Sequence, residues 1–176
     1  MDIEKIEVDD EWEWYIGQLF YKLIEKKSNI NCVVELAPGF KYKIAYALER
    51  MNFKGILYII DANSNVIEYV VNKYKQILPN AKIVGICKDF SDAIEDLPEK
   101  IDLFLANHVI DDMLIENYIT KANYNRMFDQ KEEGDKYLKL WESFANDDVN
   151  SEKIIENIFD SFKDFFDKKE INNIVI

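Results

Sequence analysis

Two acidic residues and a Pro-Gly turn stand at positions in this chain where ligand chemistry is expected. Glu35 and Asp61 each end an apolar run, and Pro38 and Gly39 follow the first run. An amphipathic segment separates the runs, and about 30 residues suffice for a strand, a crossover helix and a parallel strand. The carboxyl ends of such strands lie side by side, and open parallel sheets bind their ligands there. Because a glycine lets the backbone approach a ligand closely, the sequence predicts a nucleoside pocket.

The composition is that of an acidic, globular protein. The chain has 176 residues, the length of one domain, and 48 % of them are hydrophobic, which is enough for a packed core. Its formal net charge is −12. A field of that sign repels phosphate backbones, so nucleic acid is an unlikely partner on electrostatic grounds.

Several sequence features favour a cytoplasmic protein. The first residues, MDIEKIEVDDEWEW, are acidic and lack the apolar core of a signal peptide. No apolar run approaches the roughly 18 residues of a membrane span, so no membrane association is expected. Cys32 and Cys87 both fall in predicted strands. If those strands flank a third one, the cysteines lie about 10 Å apart, too far for a disulfide.

Hydrophobic periodicity predicts the elements that position the two acids. After Asp10 and Glu13, which resemble a capping box, a core-facing helical stripe runs to about Lys27 and contains Trp12, Tyr15, Ile16, Leu19, Phe20, Leu23 and Ile24. Four apolar runs predict the strands Cys32–Leu36, Ile56–Ile60, Lys82–Cys87 and Ile101–Ala106. Helices are predicted between them, from Gly39 to Met51, from Asn63 to just before Pro79, and from Ser91 to Pro98.

The pattern changes after residue 118. Residues 119–150 are polar, yet four of them fall at helical spacing, which predicts a partly helical insertion or lid: Tyr137, Leu140, Trp141 and Phe144. A last helix is predicted from Ser151 to about Lys168, with a stripe formed by Ile155, Ile158, Phe159, Phe162 and Phe166.

The chain closes on INNIVI, Ile171 to Ile176, a short strand candidate. An apolar last strand leaves an open sheet edge, which proteins usually cover or pair. Three explanations stay open: the chain is a piece of a longer protein, a partner pairs with the edge, as in a homodimer, or the strand sits inside the sheet.

The regular alternation of strands and helices predicts an α/β fold. Its architecture is expected to be a three-layer α-β-α sandwich, with a mostly parallel sheet between helices on both faces. A single domain, residues 1–176, is expected, with the helical insertion before the last strand.

The strand ends resemble those of a known family. ELAPGFK, Glu35 to Lys41, looks like motif I of the Rossmann-like (class I) S-adenosylmethionine-dependent methyltransferases. Asp61, Asp89-Phe90 and the segment ANHVIDD fall where that family places its later motifs. The resemblance covers residues 12–118 and makes INNIVI the fifth strand of a Rossmann-like sheet. Motif I keeps one of its glycines, and the family's last two strands are missing from this sequence.

The resemblance implies a cofactor site that begins at motif I. Glu35 would lie near the methionine end of S-adenosylmethionine, or would only hold the loop. Ala37, Pro38 and Gly39 would form the loop beside the cofactor. Ala37 stands where the family's first glycine is expected, and Lys41 stands in place of the third.

The same resemblance assigns the later strand ends. Asp61, with Ala62 beside it, would accept hydrogen bonds from the ribose hydroxyls, or would only offset the dipole of the next helix. Asp89 would reach the adenine amino group with Phe90 against the ring, unless it is an ordinary acid at the end of a strand.

Asn107 and His108 would lie beside the methyl group that is transferred. His108 is the single histidine of the chain, which makes it a weak candidate for a general base. A lone histidine beside a sheet end also suits a hydrogen-bonded structural role or a place in the pocket wall. No metal site is expected.

Two functions remain in contention. The first is transfer of a methyl group from S-adenosylmethionine to a small-molecule or protein acceptor. The alternative is a catalytically inactive methyltransferase-like binding or scaffold module, which the reduced motif I and the missing strands favour. A nicotinamide-dependent enzyme is a weak third choice, because the loop lacks the G-x-G-x-x-G spacing that cradles a pyrophosphate.

Overall fold

The computed structural model describes residues 10–107, 109–119 and 134–176. The chain forms two compact units, one made of Met1–Asn107 with Lys168–Ile176 and the other of His108–Asp167. Every strand of the described residues belongs to the first unit, and the elements described in the second unit are helices. None of the helices in these ranges is both long enough and apolar enough to cross a membrane.

A parallel sheet organises the first unit. The described strands are β1 (Cys32–Leu36), β2 (Ile56–Asp61), β3 (Lys82–Cys87), β4 (Lys100–Ile101), β5 (Leu103–Ala106), β6 (Glu170–Ile171) and β7 (Ile174–Val175). Five of them form one sheet in the order β3-β2-β1-β5-β7, and each neighbouring pair is parallel. β4 and β6 form a separate parallel pair.

Helices cover both faces of the larger sheet. In the first unit they are α1 (Asp10–Ile24), α2 (Lys43–Arg50), α3 (Ser64–Ile77) and the short α4 (Phe90–Ala93), which a 3-10 turn extends over Ile94–Asp96. Successive strand residues point to opposite faces. Leu103 and Leu105 join the core formed with α1, α2 and α3, whereas Phe104 packs on Phe90 of α4, with ring centroids 6.3 Å apart. The predicted three-layer, Rossmann-like α/β class is confirmed.

The fourth predicted strand is interrupted. The sequence predicted one strand over Ile101–Ala106, but Asp102 separates β4 from β5. The Asp102 carboxylate accepts hydrogen bonds from the backbone N–H groups of Asn31 and Cys32, at 2.8 and 2.9 Å. The single-strand prediction was wrong because a side chain that bonds to nearby backbone competes with the sheet ladder.

The C-terminal residues form the two shortest pairings. β6 pairs with β4, and β7 pairs with β5, where Ile174 lies opposite Phe104. The Asn173 side chain donates a 2.9 Å hydrogen bond to the Asp102 carbonyl. Among the described strands β7 lies at the edge of the sheet, so INNIVI supplies the fifth strand and does not sit inside the sheet.

The apolar stripe predicted for α1 is exposed for the most part. Four of its large side chains are between 54 and 62 % exposed, namely Trp12, Tyr15, Leu19 and Leu23. The buried face of α1 packs on α2 and carries Glu13, Gly17, Phe20 and Ile24. A Cβ on Gly17 would lie 2.6 Å from the Lys43 carbonyl oxygen. The prediction was wrong because the helices approach most closely at the glycine, and that contact fixes which face is buried.

The second unit contains three described helices, α5 (Val109–Tyr118), α6 (Gly134–Ala145) and α7 (Asp148–Lys168). Tyr118 and Phe144 join α5 to α6, with ring centroids 5.4 Å apart. The helical prediction for part of 119–150 is confirmed over α6, and 120–133 lie outside the described residues. In α7 the buried side chains are Ile158, Phe162 and Phe165, whereas Ile155 and Phe159 of the predicted stripe are exposed.

Candidate functional site

The strand order creates a topological switch at the carboxyl edge of the sheet. The chain runs outward from β1 through β2 to β3, then returns to β5 on the other side of β1. β1 and β5 end together, with Leu36 opposite Ala106. Open α/β sheets bind ligands outside the carboxyl ends of their strands at such a point. The residues that follow these strands therefore form the candidate site.

A strained loop follows β1 at this edge. Ala37 and Gly39 have φ angles of 47° and 58°, in the left-handed region that costs a non-glycine residue about 1 kcal/mol or more. Pro38 between them is buried, and the Ala37 N–H donates to the Ile60 carbonyl at 2.7 Å. This turn delays the start of α2 to Lys43, so the helix predicted to begin at Gly39 begins four residues later.

Asp61 ties this loop to the next helix. Its Oδ2 accepts a 3.3 Å hydrogen bond from the Gly39 N–H, and its Oδ1 accepts one of 2.9 Å from the Asn63 N–H. Asn63 is the N-cap of α3, because its side chain accepts from the Asn65 N–H at 3.0 Å. A Cβ built on Gly39 would meet no atom of the described residues within 4 Å. The Gly39 backbone is therefore open to an approaching group beside the Asp61 carboxylate.

The end of β3 supplies three more residues to the edge. Cys87 is a free thiol, as predicted, and it donates a 3.7 Å hydrogen bond to the carbonyl of Ala62. Asp89 is exposed at the start of α4, whereas Phe90 is buried beneath it. Of this pair, only the acid is therefore presented to solvent, and the phenyl ring belongs to the core.

Asn107 follows β5 and is half-buried. β3 and β5 are three positions apart in the sheet, so the ends of the two strands, which Asp89 and Asn107 follow, are about 14 Å apart. The structure thus brings Asp61 and Gly39 into direct contact and spreads the other predicted residues along one edge. His108 lies outside the described residues, so its predicted role stays a prediction.

Glu35 is a buried acid near the end of β1. Its carboxylate is buried and accepts a 2.5 Å hydrogen bond from the Tyr74 hydroxyl of α3. Burial raises the pKa of Glu35 to about 7; the Tyr74 hydrogen bond and Lys43 act against this rise, and the charges of Glu13 and Asp61 add to it. The hydrogen-bond partner of the Glu35 carboxylate thus belongs to α3 rather than to the loop, and both roles expected for Glu35 stay predictions.

Glu13 is a second buried acid next to the loop. Its Oε2 accepts a 2.9 Å hydrogen bond from the Tyr42 N–H, and Lys41 Nζ lies 3.5 Å from its Oε1. Tyr42 is the residue before α2, so the carboxylate lies at the positive end of that helix dipole. Sequence reasoning assigned Glu13 to a capping box of its own helix, and the structure places it against α2 instead.

Two signals in the sequence, when combined, point to the buried hydrogen bond between Tyr74 and Glu35. Tyr74 falls on the apolar side of the helix predicted between Asn63 and Pro79, and a buried tyrosine hydroxyl requires a hydrogen-bond partner. Glu35 sits inside an apolar strand and requires a partner for the same reason. Burial and the nearby Glu35 charge raise the pKa of Tyr74 well above its usual range, so this hydroxyl keeps its proton and stays a donor.

Comparison with known proteins leaves the site to be interpreted from its geometry. A scan against protein-family models gives no match for this chain, and a search of curated protein sequences gives none either. Within the described ranges, no group of three or more His, Cys, Asp and Glu side chains is arranged to hold a metal ion.

Proposed function

We propose that this chain binds S-adenosylmethionine at the carboxyl edge of its sheet and transfers the methyl group to a small-molecule or protein acceptor. The observation that carries the proposal is the contact between Asp61 and Gly39 at the strand switch. It combines a carboxylate with an open stretch of backbone where α/β sheets bind ligands.

Asp61 suits the ribose of the cofactor. A carboxylate oxygen can accept more than one hydrogen bond. Asp61 can therefore keep its bonds with Gly39 and Asn63 and also accept from the two ribose hydroxyls. S-adenosylmethionine carries no phosphate, and its sulfonium and ammonium groups are positive. A chain with a net charge of −12 attracts such a ligand and repels a dinucleotide.

The remaining edge residues would orient the ligand. Asp89, exposed at the end of β3, would accept from the adenine amino group, and Asn107 at the end of β5 would border the acceptor. S-adenosylmethionine supplies an already activated methyl group, so the protein needs to provide orientation and exclusion of water rather than a nucleophile.

A second candidate is a module that binds the cofactor without turning it over. The position of Glu35 favours it, because this motif I acid is buried against Tyr74 rather than presented to solvent. Only Gly39 remains of the motif I glycines, which adds weight to this candidate.

Thermal unfolding with S-adenosylmethionine and S-adenosylhomocysteine tests the binding step. Ligand at 100 times its dissociation constant adds about 2.7 kcal/mol, which for a domain of this size raises Tm by roughly 5–10 °C. Asp61→Ala should abolish the shift. Asp160→Ala, an exposed acid of α7, is the matched control and should keep it. Absence of a shift in the unmodified protein would refute both candidates.

Release of S-adenosylhomocysteine separates the two candidates. The protein would be incubated with S-adenosylmethionine and with fractionated small-molecule or protein pools. Product that rises with one pool and is lost in Asp61→Ala supports the transferase. Ligand binding with no product from any pool supports the binding module.

A further inference from the structure

The loop between β1 and α2 is held in a strained conformation. Ala37 and Gly39 have left-handed φ angles of 47° and 58°, and a strained segment persists only where the surrounding structure holds it. At the strand end, the Ala37 N–H donates to the Ile60 carbonyl. In the middle, the Gly39 N–H donates to Asp61 over 3.3 Å, which is long for such a bond. The far end of the loop therefore needs a contact that holds it in place.

That contact comes from the first turn of α1. α2 begins after Tyr42, whose side chain makes no capping hydrogen bond, although the first N–H groups of a helix need acceptors. A capping glutamate of α2 itself would stand at position 45, which is an alanine. The Glu13 carboxylate of α1 takes that role, because its Oε2 accepts from the Tyr42 N–H at 2.9 Å. The Tyr42 hydroxyl donates to Asp10, so α1 holds this residue at both ends.

The burial of Glu13 shows what the acid contributes. The residue is 1 % exposed, and burial of a carboxylate is unfavourable unless it is paired and hydrogen-bonded. Lys41 Nζ lies 3.5 Å from its Oε1, so the two carboxylate oxygens contact two consecutive residues, Lys41 and Tyr42. An apolar side chain would pack between α1 and α2 without this penalty. The acid is therefore explained by the end of the loop that it holds.

We propose that Glu13 is a positioning residue for the ligand site at the carboxyl edge, acting from α1 through Tyr42 on the loop that contains Gly39. With its far end held, the loop keeps the Gly39 N–H on Asp61. A loop that is ordered before binding loses less conformational freedom when a ligand arrives. The effect on affinity rests on the proposed binding of S-adenosylmethionine, whereas the effect on the loop requires no ligand.

Backbone amide relaxation of the ligand-free chain, measured by NMR, tests the effect on the loop. The amides of Gly39 and Phe40 should have order parameters of about 0.85, as rigid backbone does. Glu13→Met fills the same space without a carboxylate and should lower them toward about 0.6. Glu13→Gln should restore them, since its amide oxygen still accepts from the Tyr42 N–H. Phe20→Leu, on the same buried face of α1, is the matched control and should leave them unchanged.

Titration calorimetry with S-adenosylmethionine tests the effect on affinity. Glu13→Met should raise Kd about 10-fold, because the released loop must be ordered again when the ligand binds. Glu13→Gln and Phe20→Leu should stay within about twofold of the unmodified chain. If the unmodified chain does not bind, the proposed function fails, and the order parameters alone decide the role of Glu13.

Loop amides that stay rigid in Glu13→Met would overturn the proposal. So would loosening that Glu13→Gln does not reverse, or that Phe20→Leu causes equally, since either result would trace the effect to the packing of α1. With binding established, an unchanged Kd in Glu13→Met would overturn it too. Far-UV circular dichroism checks that each variant is folded. Should Glu13→Met not fold, Tyr42→Phe replaces it, because it removes only the bond to Asp10 and should lower the same order parameters by a smaller amount.

Discussion

The five-stranded sheet has an amino edge, where its parallel strands begin, and a carboxyl edge, where they end. These two edges are built in opposite ways. At the amino edge, a Cβ on Gly55 would lie 2.0 Å from the carbonyl oxygen of Asn31, and the Asp102 carboxylate accepts the N–H group of the same Asn31. At the carboxyl edge, a Cβ on Gly39 would meet no described atom within 4 Å. One edge is closed by backbone contacts, and the other leaves backbone exposed beside the Asp61 carboxylate.

The acids near the two edges also differ in how their surroundings shift the pKa. Burial alone would raise the pKa of Asp102, but the N–H groups of Asn31 and Cys32, with the Asn172 amide and a nearby lysine, lower it on balance. Burial raises the pKa of Glu35 to about 7 because its neighbours compensate only in part. The difference teaches that the ionised Asp102 carboxylate at the amino edge stabilises the folded chain, whereas ionisation of Glu35 near the carboxyl edge destabilises it. Such a cost is typical of functional sites.

Gly55→Ala gives the largest expected effect and tests whether the amino edge is closed. The added methyl group would overlap the Asn31 backbone, which cannot move without disturbing the hydrogen bond from the Ile56 N–H to the Asn31 carbonyl. We expect a loss of at least about 3 kcal/mol in the free energy of unfolding, at the upper end for overpacking. Urea unfolding monitored by circular dichroism measures it.

Gly39→Ala is the matched substitution at the other edge. It meets open space, so its cost comes from the left-handed φ of 58° alone and should be about 1 kcal/mol. Equal losses for the two alanine variants would contradict the distinction between a closed and an open edge.

The pH dependence of stability tests the buried acid. The pKa of Glu35 is about 7 in the folded chain against 4.5 for an ordinary glutamate, so the folded state holds this proton more tightly. Its contribution to stability is fully present below pH 4.5 and is lost as the pH rises through 7, a change of about 3 kcal/mol. Glu35→Gln keeps a group that can accept from the Tyr74 hydroxyl and removes the titration.

The measurement compares urea midpoints of the unmodified chain and Glu35→Gln at pH 5 and pH 8. The unmodified chain should lose more stability than the variant between the two values. If the stability of the unmodified chain and that of Glu35→Gln respond to pH equally, the pKa of Glu35 is not raised. The two edges would then differ in packing but not in the electrostatics of their acids.

Asp102→Asn is a modest change that sharpens the comparison from the amino side. An amide oxygen accepts more weakly than a carboxylate, so the Asn31 and Cys32 N–H groups lose part of their bonding. Partial exposure limits the cost to about 1–2 kcal/mol. Amide hydrogen exchange at these two residues should quicken. The matched control is Asp96→Asn on the surface pair with Lys88, which should leave both amides unchanged.

The architecture followed from the sequence because its signals are local and repeated. Apolar runs with strand character, separated by helical stretches, admit few arrangements other than a parallel sheet between helices. The break at Asp102 could not be predicted in this way, because it depends on contacts with Asn31 and Asn172, each about 70 positions away in the chain. The α1 face was also mispredicted, since periodicity does not reveal how closely α2 approaches Gly17.

The candidate site was predictable in outline only. The strand-end positions of Asp61, Asp89 and Asn107 follow from where each apolar run stops, and the structure places them along one edge. The partners of Glu35 depend on which way its strand faces, and a shift by one residue would have turned it to the other side of the sheet. Its contact with Tyr74 therefore needed the three-dimensional fold.

One of the two thiols makes the carboxyl edge easy to observe. Cys87 is exposed at the end of β3, opposite Asp61 in the strand register. Cys32 is half-buried, and burial together with the Asp102 charge raises the pKa of its thiol, which lowers its reactive thiolate fraction. A thiol-reactive dye should therefore label Cys87 first. The chain thus carries a natural attachment point for a fluorophore beside the carboxylate where ligand binding is proposed, so binding can be followed by emission without introducing a cysteine.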